Sequence, residues 1–244
     1  MKHQCSLFGL IRLLFSIAIA LWAAPYSFAD IHAAETLKTE TAPPMPAISS
    51  CPIRSGYVLP RDLDRVIHSV VIVQNGGNIG TGVVISPEGH ILTAAHVLSG
   101  AKQAVVYMHS GAVETGQIYR SKRSQDIAVL KLNIPTPACL NVRKGRLPIG
   151  APIYGIGFNT RQGGGFLWRQ GQVQGYRWVG LPAMPYIETA MNLTAGNSGG
   201  PLLDNQGRVA GIISWKRNVG EHATYAYGAV TNQIDPLLQI SLQK

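Results

Sequence analysis

The sequence predicts an all-β domain. Of its 244 residues, 46% are hydrophobic and only 14% are charged, with 27 Gly and 15 Pro. Exposed amphipathic helices normally carry many Lys and Glu residues on their outer faces, so this composition favours short strands over a helical bundle. Strand-length apolar runs recur along the chain without helical patterns between them. This arrangement indicates a barrel or a sandwich rather than a parallel sheet.

The first 29 residues are predicted to be an export signal. Lys2 and Arg12 precede the apolar run 13–24, and a small-residue cleavage pattern ends at Ala29. The run is shorter than the ~20 residues that cross a bilayer, so a retained membrane anchor is the less favoured alternative. Removal of the signal lowers the net charge of +9 by two. The mature chain is then expected to be secreted or periplasmic.

The next segment, residues 30–50, is rich in Ala, Pro and Ser and has no periodic apolar pattern, so we predict a flexible tether. Residues 51–244 are the predicted folded domain. At its end, Asp235 is a good helix cap and Pro236 suits the first helical position, which predicts a short C-terminal helix.

Eight segments of the domain have the length and composition of strands, and clusters of Gly, Asn and Pro separate several of them. The predicted strands are Val66–Val73, Thr81–Ile85, Ala104–Met108, Ile127–Leu132, Pro152–Ile156, Val173–Val179, Tyr186–Ala190 and Val209–Trp215. A further strand is expected before the turn that carries His96.

Two cysteines remain after the signal is removed, Cys51 and Cys139, because Cys5 lies within it. An even number of cysteines in an oxidising compartment favours a single disulfide, and two buried free thiols are the alternative. No Cys/His cluster has metal-ligand spacing, and His68, His109 and His222 stand alone in the sequence. We therefore expect no metal and no cofactor.

Two segments carry chemical information. Thr93-Ala94-Ala95-His96 ends a strand, and Gly196-Asn197-Ser198-Gly199-Gly200-Pro201 places a serine among three glycines. Among glycines the backbone can turn sharply, no neighbouring side chain blocks the hydroxyl of Ser198, and main-chain N–H groups can point outward to stabilise an oxyanion. A lone His is more often structural, and a Gly-rich run is also found in ordinary loops. A phosphate-binding loop is disfavoured because the Lys-Ser/Thr of a P-loop is missing.

Together these motifs resemble the trypsin-like serine peptidases, and within them the HtrA/Deg branch of bacterial envelope proteases. Between them, Asp126 begins the segment 126–131, which is similar to the Asp-(Ile/Leu)-Ala-Val-Leu-Lys pattern of the family. The resemblance runs from about Val66 to Asn232 and has the order His, Asp, Ser of the chymotrypsin fold. It implies two six-stranded antiparallel β-barrels with the active site between them.

The resemblance also implies the role of each residue. Ser198 is the expected nucleophile, His96 its general base, and Asp126 the partner that orients the imidazole. The N–H groups of Gly196 and Ser198 are the expected oxyanion donors.

Departures from the family narrow these expectations. Members that are activated from zymogens carry Asp before the nucleophile, but here Asn197 has no charge, so activation by an ion pair at this position is not expected. HtrA/Deg proteins usually continue into PDZ domains, and none is expected here. Cys51 and Cys139 are not typical of that branch and look more like a bridge found in several eukaryotic members.

The substrate pocket is expected to be neutral. The position six residues before the nucleophile is Asn192, and the later strand has Ile213 where glutamyl endopeptidases have His. With Leu193, Ile213 and Ala226 as candidate lining, small or medium apolar residues are expected before the scissile bond. The alternative is that these three belong to the barrel core. Lys216 is close enough in sequence to reach the mouth of the pocket, although a solvated surface position is the simpler interpretation.

The basic residues form two sequence clusters, at 120–123 and at 143–146. A solvated basic surface is the simpler interpretation, and attraction to an anionic envelope surface or to acidic substrates is the functional one. Nucleic acid is not an expected partner of an exported chain. The sequence thus predicts a serine endopeptidase that acts on protein or peptide substrates. The alternative is a non-catalytic binding protein that uses a trypsin-like scaffold and its basic face on envelope components.

Overall fold

A computed structural model describes residue 51 and residues 57–160, 164–179, 184–219 and 223–230, with only the backbone described at 179, 184, 216–219 and 223–230. The chain divides into two units, Met1–Pro44 and Met45–Lys244, and every described residue lies in the second. The predicted signal, tether and C-terminal helix lie outside the described residues.

The first six described strands form a closed antiparallel barrel in the order β1-β2-β3-β6-β5-β4. Their bounds are β1 Val70–Asn75, β2 Asn78–Val84, β3 His90–Thr93, β4 Gln103–Tyr107, β5 Val113–Lys122 and β6 Ile127–Lys131. The β1–β2 hairpin pairs Asn75 with Asn78 across Gly76 and Gly77. Gly76 has φ +57°, a conformation that tight hairpin turns require and that glycine adopts without strain.

The last six described strands form a second closed antiparallel barrel in the order β10-β11-β12-β9-β8-β7. Their bounds are β7 Pro152–Phe158, β8 Phe166–Val179, β9 Met184–Ala190, β10 Pro201–Leu203, β11 Val209–Val219 and β12 Ala223–Val230. The two barrels confirm the chymotrypsin-like all-β fold that the resemblance implies.

The prediction of a strand from Val66 was wrong at its beginning. Residues Leu63–Val66 form a one-turn helix, α1, and Ile67–Ser69 form a 3-10 turn, so the strand starts only at Val70. The Asp62 carbonyl begins the helix by accepting a hydrogen bond from the Val66 N–H (3.2 Å), and its side chain fixes the preceding turn by accepting one from the Val58 N–H (2.7 Å). Leu63 and Val66, one helical turn apart, are both buried.

Two apolar clusters fill the fold. The larger one includes the interior of the first barrel together with residues of the second, such as Ile156 and Leu203. The smaller one lies among second-barrel residues and contains Leu193 and Ile213. Of the helices in the described residues, none has the length and apolar character needed to cross a membrane.

Candidate active site

His96 lies on a one-turn helix, α2 (Ala95–Leu98), that follows the end of β3. Ala95, Val97 and Leu98 are buried, whereas the His96 side chain is 49% exposed. The apolar neighbours thus hold the turn against the first barrel, and the imidazole is left accessible.

Asp126 lies directly before β6, in a left-handed conformation (φ +53°). Its Oδ2 accepts a hydrogen bond from His96 Nδ1 at 2.7 Å, and its Oδ1 accepts one from the His96 N–H at 2.9 Å. Ser214 Oγ also donates to Oδ2. The carboxylate therefore holds both the ring and the backbone of His96.

These contacts set the titration and the tautomer of His96. The side-chain hydrogen bond with Asp126 raises the pKa of His96 above 6.5. Burial of the ring opposes this rise, and the negative charge of Asp126 adds to it. Because Nδ1 donates to the carboxylate, Nε2 of the neutral ring carries the free lone pair. This is the nitrogen that a general base requires.

Ser198 lies in the turn between Thr194 and Gly200, which contacts both barrels. The Ser198 carbonyl accepts a hydrogen bond from the Thr81 N–H of β2 (2.7 Å), and the Gly199 N–H donates to the Ile213 carbonyl of β11 (2.7 Å). Gly199 has φ +86°, and a Cβ there would lie 2.1 Å from the Thr81 carbonyl oxygen. Only glycine fits this position.

Asn197 fixes the same turn from inside. It is 5% exposed, its Oδ1 accepts a hydrogen bond from the Thr194 N–H (2.8 Å), and its Nδ2 donates to the Phe158 carbonyl (2.9 Å). A neutral amide is well suited to this position, because it donates and accepts at once without placing a charge in a buried site.

A pocket of about 460 Å³ brings the site together. It is lined by Gly77, Asn78, Ile79, His96, Val97, Thr160, Ala195, Gly196 and Ser198. Both His96 and Ser198 line this pocket, and among the described residues no hydrogen bond joins their side chains. Within the same part of the chain, neither the Gly196 nor the Ser198 N–H donates to a protein acceptor.

The profile of the trypsin-like peptidase domain matches residues 80–212, more than half of the chain. The chain belongs to this family. It is 32% identical over 149 residues to a probable periplasmic serine endoprotease DegP-like of Hahella chejuensis, covering 58% of this chain and 30% of that protein. It is 30% identical over 165 residues to the serine endoprotease DegS of Haemophilus influenzae, covering 64% of this chain and 44% of that protein. The chain thus matches less than half the length of these curated relatives.

Solved protease structures are similar to this chain in fold. A serine endoprotease from Yersinia pestis aligns with a TM-score of 0.62 and 24% identity, covering 77% of this chain and 68% of that one. The HtrA-type protease AlgW, solved with a decapeptide, aligns with a TM-score of 0.63 and 20% identity, covering 76% and 67%. At these identities the likeness supports the two-barrel fold.

The candidate residues of the substrate pocket lie in different environments. Asn192 is exposed, whereas Leu193 and Ile213 are 4% and 3% exposed within the smaller apolar cluster. The side chains of Ala226 and Lys216 lie outside the described residues. The burial of Leu193 and Ile213 agrees with the barrel-core alternative, and a lining role for them stays a prediction.

Neither cysteine of the disulfide and no residue of the second basic cluster lines the pocket that His96 and Ser198 share. Cys51 and Cys139 are bonded, with Cα atoms 5.7 Å apart. Arg143 pairs with buried Asp204 (3.1 Å), and the guanidinium of Arg146 lies 5.0 Å from the ring centroid of Trp178. At least two members of the second basic cluster therefore contact other residues of the domain.

In the described ranges, no three His, Cys, Asp or Glu side chains lie close enough together to hold a metal ion.

Sequence reasoning missed Ser214, which contacts Asp126 from the second barrel. Its signal is a single hydroxyl residue inside the apolar run of β11. It also missed the buried Thr81, whose signal is its position between two glycines, Gly80 and Gly82. Neither signal is specific without the fold, because isolated hydroxyls are common in strands.

Proposed function

We propose that this chain is an exported serine endopeptidase that uses His96, Asp126 and Ser198. The observation that carries the proposal is the Asp126 Oδ2–His96 Nδ1 hydrogen bond of 2.7 Å, at a pocket that His96 shares with Ser198. Membership of the trypsin-like peptidase family supports it independently.

The mechanism follows from the chemistry of these groups. Ser198 Oγ attacks the scissile carbonyl while His96 Nε2 takes its proton, and the imidazolium then gives that proton to the leaving amine. Water hydrolyses the acyl-enzyme with His96 as base again. The Gly196 and Ser198 N–H groups, which have no protein acceptor in the described part of the chain, stabilise the oxyanion of both tetrahedral intermediates.

The proposed substrates are proteins or peptides with a small or medium apolar residue before the scissile bond. The neutral Asn192 and the apolar character of Leu193 and Ile213 support this preference. A cleavage profile on a peptide library tests it, and a strong preference for Lys, Arg or Glu at that position contradicts it. An anionic envelope surface as a partner stays a prediction.

Export and the disulfide are part of the same proposal. A signal cut after Ala29 delivers the chain to an oxidising compartment, where the bond between Cys51 and Cys139 closes 88 positions of sequence. In the chain-entropy model, closing a loop of this length increases the free energy of unfolding by roughly 4–5 kcal/mol at most. The N-terminal sequence of the mature protein and its intact mass before and after reduction check both steps.

A fluorophosphonate probe tests the catalytic assignment. The folded, oxidised wild type is expected to be labelled, and Ser198→Ala is expected to lose all labelling because the nucleophilic oxygen is gone. Ser110→Ala, a change of the same type at an exposed turn, is the matched control and should be labelled normally. Absence of labelling in the folded wild type would favour the non-catalytic binding protein.

A further inference from the structure

Gly196 is held by hydrogen bonds on both of its peptide planes. The carbonyl that precedes it, that of Ala195, accepts from Thr160 Oγ1 (3.2 Å) and from the Thr160 N–H (3.4 Å). Its own carbonyl accepts from Thr81 Oγ1 (2.7 Å). Two threonines from different segments thus contact the two peptide groups that flank one glycine.

The fully buried hydroxyl of Thr81 donates one hydrogen bond and accepts another. Its side chain is 0% exposed, and its Oγ1 accepts a hydrogen bond from the Phe158 N–H at 2.8 Å. Since that N–H is the donor, the hydroxyl proton is directed to the Gly196 carbonyl. One hydroxyl therefore links β2 of the first barrel, the end of β7 and the nucleophile turn.

Thr160 acts on the other peptide. In a trans peptide group the N–H points opposite to the C=O, so the hydrogen bonds from Thr160 to the Ala195 carbonyl direct the Gly196 N–H away from Thr160. A Cβ at Gly196 would lie 2.9 Å from Thr160 Cγ2 and 2.5 Å from the Phe158 carbonyl oxygen. Thr160 and the end of β7 therefore pack closely against the turn between Thr194 and Gly200.

We propose that Thr81 and Thr160 are positioning residues, which hold the Gly196 N–H in the orientation that an oxyanion requires. The inference rests on the proposed peptidase function and deepens it. Gly196 has φ +92°, and glycine has wide conformational freedom, so the Ala195–Gly196 peptide, which carries this N–H, can rotate unless it is held. Thr160 holds that peptide directly, and Thr81 holds the peptide that follows it, so that both sides of the glycine are fixed. Donors fixed before the reaction stabilise developing charge without reorganisation, so the threonines should act on the transition state rather than on substrate binding.

Substitutions of threonine by valine test this, because valine keeps the shape and removes the hydroxyl. Loss of a direct oxyanion donor costs about 10²–10³-fold, so loss of a residue that orients it should cost less. For Thr81→Val we expect kcat to fall about 10–100-fold with KM nearly unchanged. Thr81→Ser restores the hydroxyl and should return kcat to within about threefold, and Thr160→Val, which keeps its backbone N–H, should lower kcat about threefold.

The matched control is Thr136→Val. Thr136 is 1% exposed and its hydroxyl donates to the Ser86 carbonyl (2.8 Å), in the loop after β6, which contributes no residue to the pocket of His96 and Ser198. Thr136→Val loses one buried hydrogen bond, whereas Thr81→Val loses two, so a smaller fall in thermal stability is expected for the control, with unchanged kcat. An equal loss of kcat in both variants would show a general effect of destabilisation and would overturn the inference.

A second readout separates orientation from folding. A peptide aldehyde forms a tetrahedral adduct with a serine nucleophile, whereas the corresponding product peptide makes no such adduct. Thr81→Val should weaken aldehyde inhibition by the same factor as kcat/KM and leave product inhibition unchanged. Equal weakening of both inhibitors, or of neither, contradicts the inference.

The outcomes also separate this inference from the function on which it rests. If the folded wild type is not labelled by the fluorophosphonate, the proposed function fails. If the wild type is labelled and Thr81→Val has wild-type kcat and aldehyde affinity, only the positioning role fails. Should Thr81→Val not fold, Thr160→Val at its exposed position decides the question with the same two inhibitors.

Discussion

Strand β3 has a histidine at its first residue and another just beyond its end, and the two lie in opposite environments. His90 is 4% exposed, its Nδ1 lies 2.7 Å from Ser86 Oγ, and it pairs across the sheet with Lys131. The His96 side chain is 49% exposed and contacts the carboxylate of Asp126. The same side chain, a few residues away, is structural in one place and a candidate base in the other.

The difference shows what determines the charge of a histidine in this fold. Burial lowers the pKa of His90 to about 4; the positive charge of Lys131 adds to this, and Glu88 opposes it. Burial also disfavours the charged form of His96, but the hydrogen bond with Asp126 outweighs it and raises the pKa of that ring. A carboxylate partner, rather than exposure alone, distinguishes the candidate base from the structural residue.

Removal of that partner should have the largest effect. In Asp126→Asn a neutral amide replaces the carboxylate, so the pKa of His96 should fall. The amide also does not favour the Nδ1–H tautomer, so Nε2 should lose its role as base. We expect kcat/KM to fall about 10³–10⁴-fold. Peptide hydrolysis and an NMR titration of the His96 ring measure the two effects.

Asp64→Asn, at an exposed position of α1, is the matched control and should keep wild-type activity. A loss of less than about tenfold in Asp126→Asn would mean that His96 does not depend on this carboxylate.

Strands with a continuous buried apolar run could be predicted from the sequence, whereas exposed, polar or very short strands could not. β6 is predicted within one residue, because four of its five residues are buried and apolar. β5 was missed because it is largely exposed and polar, and β10 because it has only three residues. β12 was missed because its Ala and Gly residues give no apolar run.

The candidate site shows the same limit. The local motifs around His96, Asp126 and Ser198 select these residues, and the structure brings His96 and Asp126 into contact. The supporting hydrogen bonds join residues that are far apart in the chain, since Thr81 and Gly196 are separated by 115 positions and Ser214 and Asp126 by 88. No local pattern encodes such pairs, because they exist only after both barrels have formed.

Acidification should destabilise the protein through His90. Burial lowers the pKa of His90 in the folded protein to about 4, from its usual value of 6.5. Between these values the unfolded chain binds more protons, so stability falls as the pH falls. A difference of this size corresponds to about 3 kcal/mol. Urea unfolding of wild type and His90→Asn at pH 7 and pH 4 measures this difference, since both proteins contain the same carboxylates, which titrate in the same pH interval.

His90→Asn should lose about 3 kcal/mol less than wild type over that interval. Equal losses in the two proteins would show that His90 titrates normally and would remove the contrast with His96.

The smallest expected effect is a shift in the pH profile of activity, which tests the contrast between His96 and His90 directly. His96 must be neutral to accept the proton of Ser198, and Asp126 raises the pKa of the ring, so the midpoint of kcat/KM should lie above pH 6.5. Below the midpoint, activity should fall about tenfold per pH unit.

The effect of His96 on stability has the opposite dependence on pH. Its raised pKa adds stability that is present below pH 6.5 and lost as the pH rises through the pKa of His96 in the folded protein. Activity should therefore decline on acidification before His90 begins to destabilise the fold, and His90→Asn should keep the wild-type midpoint. A midpoint at or below pH 6.5, or full activity near pH 4, would exclude His96 as the base whose pKa Asp126 raises.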